Sequence, residues 1–149
     1  MRRILIVDDE PANVMLLEAF LSGMSDEIRS ITDSTDAEQA FLEFEPDIVL
    51  LDFHMPKPDG ISVLRRIADA RERRGFVPVI MLTADTRSIA RKSALLLGAN
   101  DFLTKPLDRD EVLLRVRNLL RTRDLYAELA DAYSALQGRT DQSRRGIAS

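Results

Sequence analysis

The strongest candidates for chemistry in this chain are carboxylates that follow short apolar runs. Asp52 follows the run at 48–51, and Asp8 and Asp9 follow the run at 4–7. Runs of this length that are rich in strand formers are too short for helices and are typical of strands buried on both faces of a parallel sheet. Because ligands of open α/β sheets bind beyond the carboxyl ends of the strands, these carboxylates are candidate site residues.

Two further polar residues occupy the equivalent position after later strands. Thr83 follows the apolar run at 77–82, and Lys105 comes shortly after the weaker run at 101–103. In a parallel sheet the carboxyl ends of all strands lie at the same edge, so these side chains are expected near the three aspartates. A Lys ammonium supplies a point charge and a Thr hydroxyl supplies a donor, and phosphoryl oxygens need both kinds of partner.

The three aspartates and their neighbours indicate one kind of chemistry. Carboxylates gathered at one edge repel each other and raise one another's pKa. A divalent cation such as Mg²⁺ or Mn²⁺ relieves this repulsion, and carboxylate oxygens together with water suit Mg²⁺. A carboxylate beside such a cation can attack a phosphoryl group and become an acyl phosphate. The set therefore predicts metal-assisted phosphoryl transfer to an aspartate.

The rest of the pattern predicts the elements that position these side chains. Five strands alternate with five helices, and this alternation predicts a doubly wound α/β fold with a five-stranded parallel sheet. Pro11 suits the first turn of the first helix, where its missing N–H costs nothing. Thr35 and Glu38 resemble a capping box for the second helix. Asp108 is expected to cap the last helix.

The loop after Asp52 carries its own signals. Pro58 presets φ and Gly60 tolerates positive φ, so a turn is expected there. His54 is the single histidine of the chain. A general-base or phosphohistidine role is open to it, and the plainer interpretation is a loop residue with its side chain in water.

Composition bounds the class of protein. With 149 residues, 45% hydrophobic and 31% charged, the chain allows one globular domain with an appendage. The formal net charge is −4, and the acidic balance lies within residues 1–120, which argues against direct nucleic acid binding. The chain has no cysteine, which excludes disulfides and zinc–thiolate sites. No run is long enough for an export signal or a membrane span, so we expect a cytoplasmic protein with no membrane partner.

Four segments carry a resemblance to a known family. They read VDDEP at 7–11, LLDFHMPKPDG at 50–60, MLTAD at 81–85 and GANDFLTKP at 98–106. In this order and spacing they resemble the receiver domain of bacterial two-component response regulators over residues 1–120. The resemblance implies a flavodoxin-like fold and a phosphorylation-dependent switch whose donor is a histidine kinase or a histidine phosphotransfer protein. It implies no enzymatic activity beyond the protein's own phosphorylation and dephosphorylation.

The resemblance also implies roles for single residues. It makes Asp52 the phosphoacceptor and a metal ligand, Asp9 a direct Mg²⁺ ligand, and Asp8 a ligand that acts largely through water. The family's other protein ligand would be the backbone carbonyl of His54. Three further roles are implied: Thr83 and Lys105 contact the phosphoryl group, Thr83 and Phe102 form the switch, and the Lys105–Pro106 bond is cis. Phe lacks the hydroxyl of Tyr, so such a switch must act through packing alone.

Plainer interpretations stay open for each residue taken singly. Asp8 and Asp9 could form a solvated cap of the first helix, and Thr83 could be a capping residue. Lys105 could be a solvated charge, and Phe102 could be ordinary core. Only their shared position after neighbouring strands favours a common site.

Three other functions compete with the switch. A phosphatase of the haloacid-dehalogenase type needs a second acid two residues after its nucleophile, where this chain has His54. A flavodoxin-like FMN carrier needs a phosphate-binding loop after the first strand, where Asp8, Asp9 and Glu10 would repel phosphate without a metal. A phosphorylation-independent interaction module makes no use of the acidic set, which argues against it without excluding it.

Helical character continues beyond the receiver pattern. An apolar stripe recurs at spacings of four, three and four residues, over fewer than two heptads: Leu125, Leu129, Ala132 and Leu136. We expect residues 121–137 to form a dimerising or signal-transmitting helix, with a solvated extension as the alternative, and residues 138–149 to be disordered. A homodimer would use this helix or the face of the fourth helix, fifth strand and fifth helix. The expectation is either a stand-alone regulator or the receiver piece of a larger one.

Overall fold

A five-stranded parallel sheet forms the centre of the molecule. The computed structural model describes residues 2–84 and 88–148, with side chains described for 2–84 and 91–141. The strands are β1 (Arg3–Val7), β2 (Glu27–Ile31), β3 (Ile48–Asp52), β4 (Val79–Thr83) and β5 (Asp101–Thr104). Their order is β2-β1-β3-β4-β5, and every neighbouring pair is parallel. The predicted flavodoxin-like, doubly wound α/β fold is confirmed.

Helices cover both faces of this sheet. They are α1 (Pro11–Leu21), α2 (Ala37–Phe44), α3 (Gly60–Arg73), α4 (Ser88–Leu96) and α5 (Arg109–Ala148), with a 3₁₀ turn at Ser34–Asp36. One core cluster joins α1 and α5 to the sheet and includes Leu17 and Val116. The other joins α2, α3 and α4 to the opposite face and includes Phe41 and Leu64.

The two-sided burial explains the unbroken apolar runs. In β3, Ile48 and Leu50 belong to the α1/α5 cluster, whereas Val49 and Leu51 belong to the α2/α3/α4 cluster. Because successive side chains of a strand point to opposite faces, both faces of β3 need apolar residues. The register then brings the polar residues that end β1, β3 and β4 to the same edge of the sheet.

Two of the predicted helix starts are found. Pro11 is the first residue of α1. Asp108 Oδ2 accepts a hydrogen bond of 3.0 Å from the backbone N–H of Glu111, which places it as the cap of α5. In both cases the capping signal is local in sequence and no distant contact competes with it.

The start of the second helix differs from the prediction. Asp33 Oδ1 accepts a hydrogen bond of 3.0 Å from the backbone N–H of Thr35, and a 3₁₀ turn follows before α2 begins at Ala37. The expected capping box of Thr35 with Glu38 is therefore wrong. The physical reason is that the Asp33 carboxylate reaches the N–H two residues on, which is the geometry of an Asx turn.

Gly60 serves a close approach rather than a positive-φ turn. It is the first residue of α3, and the helix is capped by Asp59, whose Oδ1 accepts from the Ser62 N–H at 2.8 Å. A Cβ on Gly60 would overlap the carbonyl oxygen of Asp52 and lie 2.8 Å from the Cα of Phe53. Glycine is therefore needed here because α3 begins directly against the end of β3.

The last helix is longer than predicted. α5 is one helix of 40 residues that passes through Gly138 and reaches Ala148. This corrects the expectation of a disordered tail from residue 138, for the part of the tail that the structure describes. A single glycine costs a helix only about 1 kcal/mol relative to alanine. Thr140 Oγ1 also donates to the Leu136 carbonyl at 3.0 Å, within the helix itself.

Candidate functional site

Three carboxylates meet at the carboxyl edge of the sheet. Asp8 and Asp9 follow β1, and Asp52 ends β3. One carboxylate oxygen from each lies within 4.8 Å of the other two. Asp8 is fully buried and Asp52 is 3% exposed, whereas Asp9 is exposed to solvent. The structure thus brings together the three aspartates that the sequence singled out.

Lys105 joins two of these carboxylates. Its Nζ lies 3.1 Å from Asp52 Oδ1 and 3.2 Å from Asp8 Oδ2. The backbone N–H of Lys105 donates to the Thr83 carbonyl at 2.8 Å, which fixes the loop after β5 against the end of β4. The Lys105–Pro106 peptide bond is cis. The ammonium group therefore stands among buried acids instead of in water.

The surroundings of Asp52 and Lys105 change the pKa of both side chains. Burial raises the pKa of Asp52 and the negative charge of Asp8 raises it further, while Lys105 opposes both effects, so that the pKa reaches about 7. Burial works against the charge of Lys105, but the carboxylates of Asp52 and Asp8 outweigh it and raise the pKa of the ammonium. Near neutral pH, Asp52 is thus poised between its protonated and ionised forms.

The donor atoms at this edge suit a hard divalent cation. All three groups offer carboxylate oxygens, which are the ligands that Mg²⁺ and Mn²⁺ prefer. Asp8 Oδ1 accepts from the Glu10 N–H at 3.0 Å. Asp8 Oδ2 is buried, and the Lys105 ammonium at 3.2 Å is its one close partner among the described residues, which leaves a lone pair of this oxygen available. A buried carboxylate oxygen with a free lone pair is the feature that a cation would satisfy.

His54 lies beside Asp52 through its backbone. Its N–H is 3.3 Å from Asp52 Oδ1, and its ring packs edge-on against Phe53 with the centroids 4.8 Å apart. The side chain is otherwise exposed. The ring therefore makes no hydrogen bond to the acids in the described structure, and the predicted role of the His54 carbonyl as a ligand stays a prediction.

Thr83 and Phe102 occupy neighbouring strands but different surroundings. Thr83 is buried at the end of β4 and lies opposite Thr104 of β5 in the strand register. Phe102 is half-buried on β5, with the guanidinium carbon of Arg91 5.4 Å from its ring centroid. Phe102 packs against the α2/α3/α4 cluster rather than against the acids. Asp85, the last residue of the MLTAD motif, lies outside the described residues.

A cavity of about 400 Å³ opens onto the acidic group. Its lining is Asp9, Glu10, Pro11, Asp52, His54, Ala84 and Lys105. The sequence analysis assigned no site role to Glu10, which lines the cavity and accepts from Asn13 Nδ2 at 2.9 Å. Its place directly after Asp8 and Asp9 was the available signal. The cavity gives solvent and small anions access to an otherwise buried Asp52.

Comparison with known proteins identifies the family. The family model described as the response regulator receiver domain matches residues 4–117. The chain belongs to the response regulator receiver family. Curated relatives of this receiver include RpaA, a DNA-binding dual master transcriptional regulator of Synechocystis, which is 37% identical over 87% of this chain and 54% of its own length. The response regulator PleD of Caulobacter vibrioides is 42% identical over 85% of this chain and 28% of its own length.

Comparison with solved structures gives the same family as comparison with related sequences. NtrX of Brucella abortus superposes with a TM-score of 0.77 at 30% identity, over 89% of this chain and 30% of that one. This receiver spans about half the length of RpaA and under a third of PleD.

Family membership fixes the class of function. Receivers are phosphorylation-dependent signalling switches that are phosphorylated by histidine kinases and bind Mg²⁺ at an acidic pocket, and they are not classical enzymes. The match to the receiver family argues against the phosphatase and the FMN carrier as the class of this protein. None of the helices in the described residues has the length and hydropathy required to cross a bilayer.

Proposed function

We propose that Asp52 is the phosphoacceptor of this receiver and that a histidine kinase or a histidine phosphotransfer protein is its donor. A carboxylate oxygen of Asp52 attacks the phosphorus atom of the donor's phosphohistidine. The phosphorus–nitrogen bond breaks, and the imidazole nitrogen keeps its electron pair and takes up a proton. Asp52 becomes an acyl phosphate, and later attack by water restores the carboxylate and releases inorganic phosphate. The only substrate turned over is the protein's own aspartate.

One observation carries this assignment. Of the three acids, Asp52 is the one that is both nearly buried and within 3.1 Å of Lys105 Nζ, and it lines the cavity. Asp8 shares the lysine but is fully buried, and Asp9 is exposed. A nucleophile needs access to the donor together with charge stabilisation at the attacked group, and Asp52 combines the two.

We propose that Asp8, Asp9 and Asp52 hold Mg²⁺ or Mn²⁺, together with the backbone carbonyl of His54. The support is the all-oxygen donor set within 4.8 Å and the buried Asp8 Oδ2, whose one close partner among the described residues is the Lys105 ammonium. When bound, the cation offsets the negative charge of the carboxylates and of the phosphoryl oxygens. Asp8 acts largely through ordered water, and Asp9 supplies a direct ligand.

Lys105 and Thr83 act on the phosphoryl group in this proposal. Lys105 already stands 3.1 Å from the attacking carboxylate, so its ammonium needs only a small movement to pair with a phosphoryl oxygen. Thr83 ends the neighbouring strand and offers a hydroxyl donor from a buried position. Both groups are held by strand ends and not by long loops, which keeps them preorganised.

We propose that Thr83 and Phe102 carry the switch to the face of α4, β5 and α5. Phosphorylation adds about −1.5 to −2 units of charge next to Thr83, which biases the strand end and the packing of Phe102 on β5. Phe102 has no hydroxyl, so its movement is read through packing alone. The same surface is one candidate interface for a second copy of the receiver.

The other candidate interface is the exposed stripe of α5. Leu125, Leu129 and Leu136 are each more than half exposed, and no described residue of the body covers them. We propose that a second copy of the chain pairs with this stripe. The receiver acts in this form either alone or as the receiver piece of a larger regulator.

The assignment is tested by intact mass after incubation with acetyl phosphate and Mg²⁺. Wild type should gain one phosphoryl group, which hydroxylamine should remove because it cleaves acyl phosphates. Asp52→Asn should gain none. Asp69→Asn, which changes an exposed aspartate of α3, is the matched control and should label like wild type. Labelling of Asp52→Asn at the wild-type level would assign the phosphoacceptor to another residue.

A further inference from the structure

The start of β3, at the opposite end of the strand from Asp52, is joined to α5 by an ion pair. Arg123 Nε donates to Asp47 Oδ1 at 3.0 Å, and the other carboxylate oxygen of Asp47 accepts from the Arg3 N–H at 2.8 Å. Arg123 Nη1 also donates to the Phe76 carbonyl. The side chains of Arg123 and Asp47 are 23% and 18% exposed, so water competes poorly for either of them. The Arg123 guanidinium thus joins α5 to the residue before β3 and to the segment before β4, and Asp47 in turn binds the backbone of β1.

A ring contact lies one helical turn further along. Tyr126 stacks on Phe76, with the ring centroids 4.7 Å apart and the planes 17° from parallel. Arg123 and Tyr126 are three residues apart, so they lie on the same face of α5. Both contact the body near the amino-terminal ends of β3 and β4. Phe76 receives both contacts, one through its carbonyl and one through its ring.

These contacts occur where α5 leaves the body. Among the residues of α5 whose side chains are described, Leu120 is the last buried one, and all residues from 124 to 141 are exposed. Beyond Leu120, α5 also reaches the body through an exposed ion pair of 2.8 Å between Asp124 Oδ2 and Arg2 Nη2. Exposed pairs of this kind contribute little, so Arg123 and Tyr126 supply the stronger contacts. Helices without tertiary packing are marginal in water and fray from their free ends. The position of the last anchor therefore decides how much of the extension behaves as part of the receiver.

We propose that these two contacts, Arg123 with Asp47 and Tyr126 with Phe76, form a latch that fixes the α5 extension to the strand that carries Asp52. The extension then moves together with the amino-terminal end of the sheet as one rigid body. At a rise of about 1.5 Å per residue, Leu136 lies roughly 20 Å beyond Arg123. A change of about 10° at the latch would move Leu136 by about 3 Å on that geometry.

The latch and the apolar stripe lie on different faces of the helix. Arg123 and Tyr126 contact the body, while Leu125 and Leu129 are 55% and 68% exposed. The latch consequently also sets which face of α5 is presented outward. The contacts that define it belong to the described structure alone, so the proposal does not rest on phosphorylation of Asp52.

The test measures the distance between the extension and the body in solution, and how widely that distance varies. The chain has no cysteine, so spin labels can be attached cleanly at Arg66→Cys on α3 and Ala135→Cys on the extension, both exposed positions. Distances between the labels are measured by pulsed electron resonance, with labelled protein diluted in unlabelled protein. Hydrogen exchange of the amides at 121–130 is followed in parallel. The latch variant is Arg123→Gln, and the matched control is Arg121→Gln, an exposed arginine one half-turn earlier.

Wild type and Arg121→Gln should both give one narrow distance distribution and slow exchange. Arg123→Gln should broaden the distribution and speed exchange at 121–130 by about tenfold or more, while the body stays folded. Tyr126→Ala keeps the ion pair and should give a smaller change of the same kind, and it carries the test if Arg123→Gln does not fold. Equal widths and equal exchange in Arg123→Gln and Arg121→Gln would overturn the latch.

Discussion

At the scale of single residues, the chemistry of the site depends on the proton of Asp52. Burial and the charge of Asp8 raise its pKa to about 7, against the opposing effect of Lys105. An ordinary aspartate has a pKa of about 3.9, so it is ionised throughout the neutral range. Asp52 instead competes for a proton at the pH at which it must bind a cation and attack phosphorus. Two predictions follow from this raised pKa.

The first concerns the pH dependence of Mg²⁺ binding. Below pH 7 a proton must leave Asp52 before the cation binds, so the dissociation constant should rise toward tenfold for each pH unit. Above pH 8 it should be nearly constant. Calorimetric titration between pH 5.5 and 8.5 measures this profile. Asp52→Asn should bind weakly with little pH dependence, and an equally steep profile in that variant would trace the proton to another group.

The second concerns stability without divalent cations. The folded-state pKa of Asp52 lies above its unfolded value, so the stability that its protonation contributes is complete below about pH 4 and is lost as the pH rises through about 7. Asp52→Asn removes the buried charge. In EDTA at pH 8 it should raise the free energy of unfolding by roughly 2 kcal/mol relative to wild type.

Denaturant unfolding at several pH values measures this difference. The gain of Asp52→Asn should shrink as the pH falls toward 4, because wild-type Asp52 is then neutral as well. A gain that is independent of pH would show that the effect comes from packing and not from charge.

At the scale of elements, the site depends on how closely α3 approaches β3. The Gly60 N–H donates to the Phe53 carbonyl at 3.1 Å, and a side chain at Gly60 would overlap the backbone of Asp52. The backbone that carries the phosphoacceptor is thus packed directly against the first turn of a helix. Neither element can shift without moving the other.

Gly60→Ala should therefore disturb both stability and the site. We expect the free energy of unfolding to fall by about 2 kcal/mol, which is within the range measured for overpacking. The Mg²⁺ dissociation constant should rise in the same variant, because the Asp52 backbone must move. Gly23→Ala is the control, since a Cβ there meets no atom within 4 Å. Chemical denaturation and calorimetry measure the two effects, and equal values for both variants would exclude the close approach as the cause.

At the scale of the whole molecule, the body and the extension of α5 are stabilised differently. The body buries two apolar clusters against the two faces of the sheet. All residues of the extension from 124 to 141 are exposed, Tyr126 included, yet the extension carries an apolar stripe. A helix with an exposed apolar stripe is stabilised when a partner covers the stripe.

Pairing of two copies should therefore depend on the stripe. Leu129→Glu places a charge at its centre and should shift sedimentation from a concentration-dependent dimer toward monomer. Leu42→Glu changes a leucine on α2 that is also exposed, at 49%, and should leave the association constant unchanged. Analytical ultracentrifugation across a concentration series measures both. Equal association of the two variants would move the interface to the face of α4, β5 and α5.

The sequence by itself determined the alternation of five strands with five helices and which polar side chains meet at one edge of the sheet. Short apolar runs ending in Asp8, Asp52 and Thr83 are local patterns, and a parallel sheet necessarily brings their ends to one edge. Even the helix starts at Pro11 and Asp108 were readable, because a cap involves residues only a few positions apart.

Only the tertiary structure decided the contacts between elements that are distant in sequence. It showed that Lys105 bridges two carboxylates, that Gly60 is needed for contact with β3, and that Arg123 pairs with Asp47. It also corrected the tail, since helix continues through Gly138. These features depend on distances between packed elements and on competition between local hydrogen bonds, neither of which a pattern of residue types along one chain specifies.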